Sequence, residues 1–153
     1  MSAANPPADP IYADRVSGRS FPNAREMINH YLGVFAEHAG IERVELDASG
    51  HVLLARGSAS IGVNVLEGQG VLMIFAPIMD VPVTGREALY RRLLELSFLA
   101  TADGAFAIAD DKVVVRTLRR LSSLDYEEFE DLLRTVGEIA DEWDDRLIAD
   151  FGT

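Results

Sequence analysis

The sequence predicts an α+β fold, in which an antiparallel sheet of five or six strands carries three helices in the order α-β-β-β-(β)-α-β-β-α. The first observation is that three segments combine helical periodicity with a polar capping residue three positions before a glutamate. The second is that short apolar segments joined by tight turns lie between them, and strands joined in this way must be antiparallel. This order excludes a doubly wound nucleotide-binding sheet, which needs parallel strands.

Capping pairs mark the three helix starts, and they are Asn23 with Glu26, Thr84 with Glu87, and Asp125 with Glu128. In such a pair the side chains accept hydrogen bonds from backbone N–H groups that lack a partner within the helix. The first helix is predicted over about residues 23–39, followed by Gly40, and the last over about residues 125–149. The last helix carries a single apolar stripe, as expected for a helix that packs on a sheet.

Short β segments occupy most of the remaining chain. The predicted strands are Val44–Leu46, Val52–Ala55, Ile61–Val65 and Val71–Met79 before the second helix, and Ala105–Ala109 and Lys112–Leu118 after it. Turn signals such as Asp47–Gly50 and Glu67–Gly70 separate them. Residues 1–20 contain Pro6, Pro7 and Pro10 but no apolar core, so we expect a disordered N-terminal tail, with residues 21–153 as a single domain.

The composition excludes several classes of protein. The 153 residues include 25 acidic and 14 basic side chains, which give a formal net charge of −11, and they include no cysteine. Phosphates would repel such a chain, so we expect no binding to nucleic acid. Disulfides, zinc–thiolate sites and thiol nucleophiles all need cysteine. Because no segment approaches the ~20 apolar residues of a membrane span, we expect a cytoplasmic protein.

Candidate catalytic and metal-binding residues are few. His30 and His38 are eight positions apart on the first helix, a spacing that does not bring two ligands to one metal ion. Glu26 and His30 have a four-residue spacing, which is typical of a solvated helix pair. We therefore expect no enzymatic activity, no metal and no cofactor. An enzyme would need a deep pocket with converging polar groups, for example around His30 or His38.

The second helix has more apolar surface than one packing face requires. One stripe consists of Leu89, Leu93 and Leu96, and a second stripe beside it consists of Tyr90, Leu94 and Phe98. Together they cover about half of the helix circumference, whereas packing on a sheet needs a stripe of roughly 100°. We predict that the first stripe faces the core and that the second forms the interface of a homodimer. The opposite assignment of the two stripes is the alternative.

Two strands are apolar on both faces, namely Val71–Ala76 and Val113–Val115. An antiparallel strand with one face in water alternates apolar and polar residues instead. One interpretation is that helices cover both faces of the sheet. The other is that one face is left for a partner, and Val71, Met73 and Phe75 are then the predicted client-binding residues.

Basic residues cluster at two places in this acidic chain. Arg91 and Arg92 lie in the second helix, and Arg116, Arg119 and Arg120 lie at the end of the second hairpin. Too few aromatic residues accompany them for a platform that stacks nucleic-acid bases. We interpret these arginines as ion-pair partners between elements or between subunits.

Three stretches of the chain resemble a known family, and they are Gly50–Pro82, Thr84–Leu99 and Gly104–Leu147. The features that carry the resemblance are the strand end Ala76–Ile78, the helix Arg86–Leu96, and Val113–Arg116 leading to Tyr126–Phe129. In these features the chain resembles bacterial type III secretion chaperones of the Tir-chaperone (CesT-like) type. YbjN-like proteins have a similar fold, and the segment Ala140–Trp143 with Leu147 resembles them as well.

The resemblance implies a small cytoplasmic homodimer without enzymatic activity. Such a protein would hold the N-terminal segment of a secreted effector in an extended form until type III export. The YbjN-like alternative implies a regulatory or interaction protein of the same fold without an export client. Neither resemblance assigns individual client contacts, so the predicted client-binding residues depend on the strand pattern alone.

Overall fold

The computed structural model describes residues 12–56, 59–99 and 103–152. These residues form three α-helices and seven strands. In chain order they are β1 (Tyr12–Ala13), β2 (Ser20–Phe21), α1 (Ala24–Ala39), β3 (His51–Arg56), β4 (Ala59–Leu66), β5 (Val71–Asp80), α2 (Arg86–Leu99), β6 (Ala105–Ala109), β7 (Lys112–Arg120) and α3 (Tyr126–Phe151).

The five strands β3 to β7 form one antiparallel sheet in the order β3-β4-β5-β7-β6. The short strands β1 and β2 form a separate antiparallel pair. Between β5 and β7 the chain leaves the sheet, forms α2, and returns as the edge strand β6 before the hairpin to β7. The predicted α+β class, the helix and strand order and the antiparallel sheet are therefore confirmed.

Two of the three predicted helix starts have the predicted cap. The side-chain oxygen of Asn23 accepts a hydrogen bond from the backbone N–H of Glu26 at 2.9 Å, and Asp125 accepts one from Glu128 at 2.9 Å. At the other end of α1, Gly40 has a left-handed backbone with φ 66°, which glycine adopts without steric cost. Local side-chain chemistry therefore fixes the bounds of α1 and the start of α3.

The predicted start of α2 at Thr84 is wrong, because α2 begins at Arg86. Gly85 has a left-handed backbone with φ +75°, so the helix does not extend back through it to Thr84. The Gly85 carbonyl instead accepts the N–H of Leu89 at 3.1 Å, and the Arg86 side chain donates to the Pro82 carbonyl at 2.7 Å. Gly85 therefore sets the start of this helix. Of the predicted capping pair, Thr84 lies before Gly85 and outside the helix, while Glu87 lies within it.

The predicted strand Val44–Leu46 is also wrong, because residues 41–47 have no regular secondary structure. Side chains of α1 bind the backbone groups that a strand would use. The Asn29 side chain accepts the N–H of Leu46 at 2.9 Å, and Arg25 donates to the carbonyls of Leu46 and Asp47 at 3.3 and 2.8 Å. The connection is thus held against α1 by polar side chains rather than paired with β3.

Residues 12–20 differ from the expected disordered tail, while residues 1–11 lie outside the described part of the chain. Tyr12 and Phe21, at the two ends of the β1–β2 hairpin, are buried in the core. Asp14 is only 4% exposed, and its carboxylate accepts hydrogen bonds from the N–H groups of Val16, Ser17 and Tyr126 at 2.8–3.0 Å. This carboxylate joins the hairpin to the first turn of α3.

A single core lies on one face of the sheet. α3 packs across β4, β5 and β7, α1 packs against α3, and α2 lies beside β6. Tyr31 of α1 is fully buried and contacts the rings of Phe21, Tyr126 and Phe129 with centroid separations of 5.7–6.0 Å. The N-terminal hairpin, α1 and α3 therefore share one aromatic cluster.

The environment of Asp14 shifts its pKa. Burial alone raises the pKa, but the N–H groups of Ser17, Tyr126 and Val16 and the hydroxyl of Tyr31 stabilise the carboxylate more strongly. The net pKa of Asp14 is therefore below its ordinary value. A carboxyl group with a lowered pKa stabilises the folded state above its unfolded pKa, and this contribution is lost as the pH falls through the folded value.

We predict that Asp14→Asn destabilises the protein by about 1–3 kcal/mol at neutral pH, because an amide cannot accept all the hydrogen bonds of the carboxylate in this buried place. Urea unfolding followed by circular dichroism measures the difference from the native chain. Asp141→Asn is the matched control, since it removes the same charge from an exposed position on α3.

The difference between the Asp14→Asn variant and the native chain should shrink between about pH 5 and about pH 2, where Asp14 itself becomes protonated. A difference that stays constant or grows over this range would contradict the role given to the ionised carboxylate. A loss of stability in Asp141→Asn equal to that in Asp14→Asn would show a general charge effect instead.

Candidate functional site

One side of α2 is exposed although it is apolar. Leu89, Leu93 and Leu96 are buried in the core, as the predicted assignment of the two stripes requires. Leu94 is 73% exposed and Phe98 is 88% exposed, while Tyr90 is half-buried and packs against the core. Leu99, which the sequence pattern did not single out, is 79% exposed next to Phe98. We refer to Tyr90, Leu94, Phe98 and Leu99 as the α2 stripe.

Charged residues of both signs border the α2 stripe. Arg91 donates to Glu95 at 3.1 Å, one turn further along the helix. A shallow concavity beside them is lined by Arg86, Glu87, Tyr90, Arg91, Leu94 and Glu95. An apolar centre with a charged rim is the usual arrangement of a protein–protein interface.

The face of the sheet that points away from the helices is also rich in apolar side chains. Along β5, the buried residues Leu72, Ile74 and Ala76 alternate with half-buried Val71, Met73 and Phe75. The strand register aligns Met73 with Asn64 of β4 and Leu118 of β7. The residues on this side, which we call the open face, are His51, Leu53, Ala55, Ser60, Gly62, Asn64, Leu66, Val71, Met73, Phe75, Pro77, Asp80, Lys112, Val114, Arg116, Leu118, Arg120, Ala105, Ala107 and Ala109.

Exposure on the open face continues beyond β5. Leu53 of the edge strand β3 is 54% exposed, and Leu118 of β7 is 41% exposed. The three predicted client-binding residues thus lie in one row, with exposed apolar residues on neighbouring strands. Among the described residues, the helices pack on one face of the sheet only, so the interpretation in which helices cover both faces is not the one found.

Phe75 is held in place on the open face by its neighbours. An added Cβ on Gly62 would lie 2.3 Å from the Phe75 ring, so the ring lies directly over the backbone of β4. The His51 ring stacks nearly parallel to that of Phe75, with centroids 6.1 Å apart, and His51 pairs with the Asn64 side chain. Gly62 is needed here for close approach, and the position of a glycine inside a predicted strand was the only sequence signal for this contact.

The other candidate residues do not form a shared site. His30 lies between the rings of Phe21 and Tyr31, and its pKa is lowered, first by burial and then by the charges of Arg19 and Arg43. His38 contacts the Tyr126 hydroxyl at 3.1 Å and lies 3.8 Å from a carboxylate oxygen of Glu130. The two histidines therefore belong to different neighbourhoods of α1.

Burial, followed by the charge of Glu130, raises the pKa of Tyr126 to about 12, so its hydroxyl stays protonated. In the described ranges, no group of three or more histidine or carboxylate side chains has the arrangement of a metal site. No helix in those ranges is both long and apolar enough to cross a membrane. What the described surface offers is apolar area on α2 and on the open face.

Solved structures share this fold. A chain of the ExsC–ExsE complex is 22% identical, with a TM-score of 0.70, and the match covers 82% of this chain and 96% of that one. A chain of the HopA1–SchA chaperone–effector complex is 11% identical, with a TM-score of 0.61 and coverages of 78% and 97%. A chain of the ExoU–SpcU heterodimer from the type III secretion system of Pseudomonas aeruginosa is 20% identical, with a TM-score of 0.56 and coverages of 82% and 98%.

At these identities the structural matches establish the fold. Among curated proteins, none matches the chain. The YbjN-like alternative finds no support in the structures named above, whereas the resemblance to secretion chaperones is confirmed by a family model. That model, described as the Tir chaperone protein (CesT) family, matches residues 30–144. The match spans most of the chain, and the protein belongs to this family of type III secretion chaperones.

Proposed function

We propose that this protein is a cytoplasmic, non-enzymatic chaperone that binds an extended segment of a secreted effector protein, as a homodimer, before type III export. The observation that carries the proposal is that one folded domain leaves two separate apolar surfaces exposed, the α2 stripe and the open face. Exposed apolar surfaces of this kind mark sites of protein–protein contact. Family membership supports a role in secretion, and the similarity to a chain of the HopA1–SchA chaperone–effector complex supports an effector as the partner.

The α2 stripe is the proposed interface between two copies. Burying a leucine or phenylalanine side chain contributes about 1.5–3 kcal/mol, and Leu94, Phe98 and Leu99 are each more than two-thirds exposed in one copy. A two-fold axis brings the same surface of both copies together, so an apolar stripe can cover its own equivalent. The neighbouring Arg91 and Glu95 give each copy both signs of charge at the rim, which avoids an interface of like charges.

The open face is the proposed client surface. Every second residue of a strand points to the same face of the sheet. The side chains of an extended segment laid along the strand have the same spacing, so the two sets can meet. Val71, Met73 and Phe75 offer one such row at the centre of the sheet. Strand addition at the outer edge of β3, which β4 separates from this row, is the other way in which an extended client segment can bind.

We predict that Leu94→Asp converts the homodimer into a monomer, because the substitution places a charge at the centre of the interface. Sedimentation equilibrium at micromolar concentration measures the mass. The fold should be unaffected, since Leu94 is largely exposed within one copy. Ile148→Asp, at an exposed apolar position on α3, is the matched control and should remain dimeric. An unchanged mass for Leu94→Asp would show that the α2 stripe is not the interface.

We predict that Met73→Asp weakens binding of a client segment by about ten-fold or more, the client being the N-terminal segment of an exported protein encoded beside this gene. The substitution removes an apolar contact of ~1.5 kcal/mol and introduces a charge at the same position. Titration of the fluorescently labelled segment measures the dissociation constant.

Ile148→Asp again serves as the control for this measurement, since it adds the same charge elsewhere. The thermal midpoint of the Met73→Asp variant should be recorded alongside, so that misfolding is recognised. Equal affinities for the native chain and a folded Met73→Asp variant would move the client surface away from the open face.

A further inference from the structure

The open face differs in charge from the chain as a whole. The protein has a net charge of −11, yet among the described residues that form the open face Asp80 is the one carboxylate, and it lies at the end of β5. Asp80 pairs with Lys112 of the same face at 2.5 Å, so these two charges neutralise each other. The charged side chains of the described open face that lack an ion-pair partner are Arg116 and Arg120, both on β7.

These two arginines have no carboxylate partner among the described residues within 4.0 Å, in contrast to the expected ion pairs. Arg119, which points to the opposite side of β7, behaves as expected, since it pairs with Asp103 at 3.3 Å and with Glu128 at 3.1 Å. Arg119, on the helix side of β7, is thus neutralised within the chain. Arg116 and Arg120, on the open face, keep charges that can pair with a partner.

Arg116 and Arg120 lie at the two ends of the apolar row on β5. The strand register aligns Arg116 with Phe75 and Arg120 with Val71, and the residue between them, Leu118, is aligned with Met73. Four residues of a β-strand span about 13 Å, so the two guanidinium groups flank an apolar centre. In an extended segment that runs along β7, residues i, i+2 and i+4 have the same spacing as Arg116, Leu118 and Arg120, so each can lie opposite one of them.

We propose that the open face selects client segments in which two carboxylates, four residues apart, flank an apolar side chain. This inference rests on the proposed client-binding function of the open face. The apolar side chain would contact Met73 and Leu118, and each carboxylate would accept charge-assisted hydrogen bonds from one guanidinium group. The partner is thus an extended acidic–apolar segment of another protein, identified by charge complementarity with Arg116 and Arg120.

Two rhodamine-labelled peptides test the charge preference in fluorescence anisotropy titrations. One is rhodamine-Leu-Thr-Glu-Thr-Leu-Thr-Glu-Thr-Leu-amide, with the dye on the N-terminal amine, and the other has glutamine at both glutamate positions. At about 50 mM salt the glutamate peptide should bind about five-fold more tightly than the glutamine peptide, as expected for two exposed ion pairs. The preference should decline as salt is added, because the pairs are open to solvent.

The double variant Arg116→Gln/Arg120→Gln should bind both peptides with the affinity that the native chain shows for the glutamine peptide. The matched control is Arg134→Gln/Arg146→Gln, which removes two positive charges from exposed positions on α3 and should keep the full preference. An equal loss of preference in the control would overturn the proposal in favour of a general charge effect.

Further outcomes separate this inference from the proposed function. If both peptides bind equally and Met73→Asp weakens both, the charge preference is wrong and the open face remains the client surface. If neither peptide binds and Met73→Asp leaves effector binding unchanged, the open face is not a client surface and both proposals fail. A change in the sedimentation mass of Arg116→Gln/Arg120→Gln without peptide would show that a second copy occupies the face, which also overturns the inference.

Discussion

The arrangement of the molecule depends on the packing of its helices on one face of a five-stranded sheet. α3 crosses β4, β5 and β7, α1 packs on α3, and α2 lies beside β6, so that one core contains the buried residues of all three helices. A strand presents its side chains alternately to the two faces, and β5 is apolar at both sets of positions. Leu72 and Ile74 are therefore buried by helices, while Met73 and Phe75 on the same strand are only half-buried.

Much of this fold could be predicted because its signals are local. Asn23 and Asp125 accept hydrogen bonds from N–H groups three residues ahead, and such contacts follow from the sequence around each helix start. The predicted start of α2 at Thr84 failed for a local reason, the left-handed backbone of Gly85, but two other failures came from long-range contacts. Leu46 is prevented from joining the sheet by Asn29, and Asp14 is buried because Tyr126, more than a hundred residues further along, donates to it. Sequence periodicity carries no information about such partners.

The candidate site was predictable in part for a related reason. Excess apolar area can be counted along one helix or one strand, so Leu94, Phe98 and Met73 could be identified without knowing what lies beside them. Which residues surround them depends on strand register. The alignment of Phe75 with Gly62, and of Met73 with Leu118, follows from the pairing of β5 with β4 and β7. The full extent of the open face therefore emerged only from the structure.

The distribution of charge gives the two apolar surfaces different characters. On the α2 stripe, Arg91 and Glu95 of one copy already pair with each other, so their rim is neutral and suits contact with an identical surface. On the open face, Arg116 and Arg120 keep a positive charge around an apolar row, because the one carboxylate of the described open-face residues, Asp80, already pairs with Lys112. The carboxylates of α3 lie on the opposite side of the sheet, and surface charges are screened beyond about 8–10 Å at physiological salt. An acidic chain can therefore attract an acidic segment at this one face, because local charge decides contact at short range while the net charge keeps whole molecules apart.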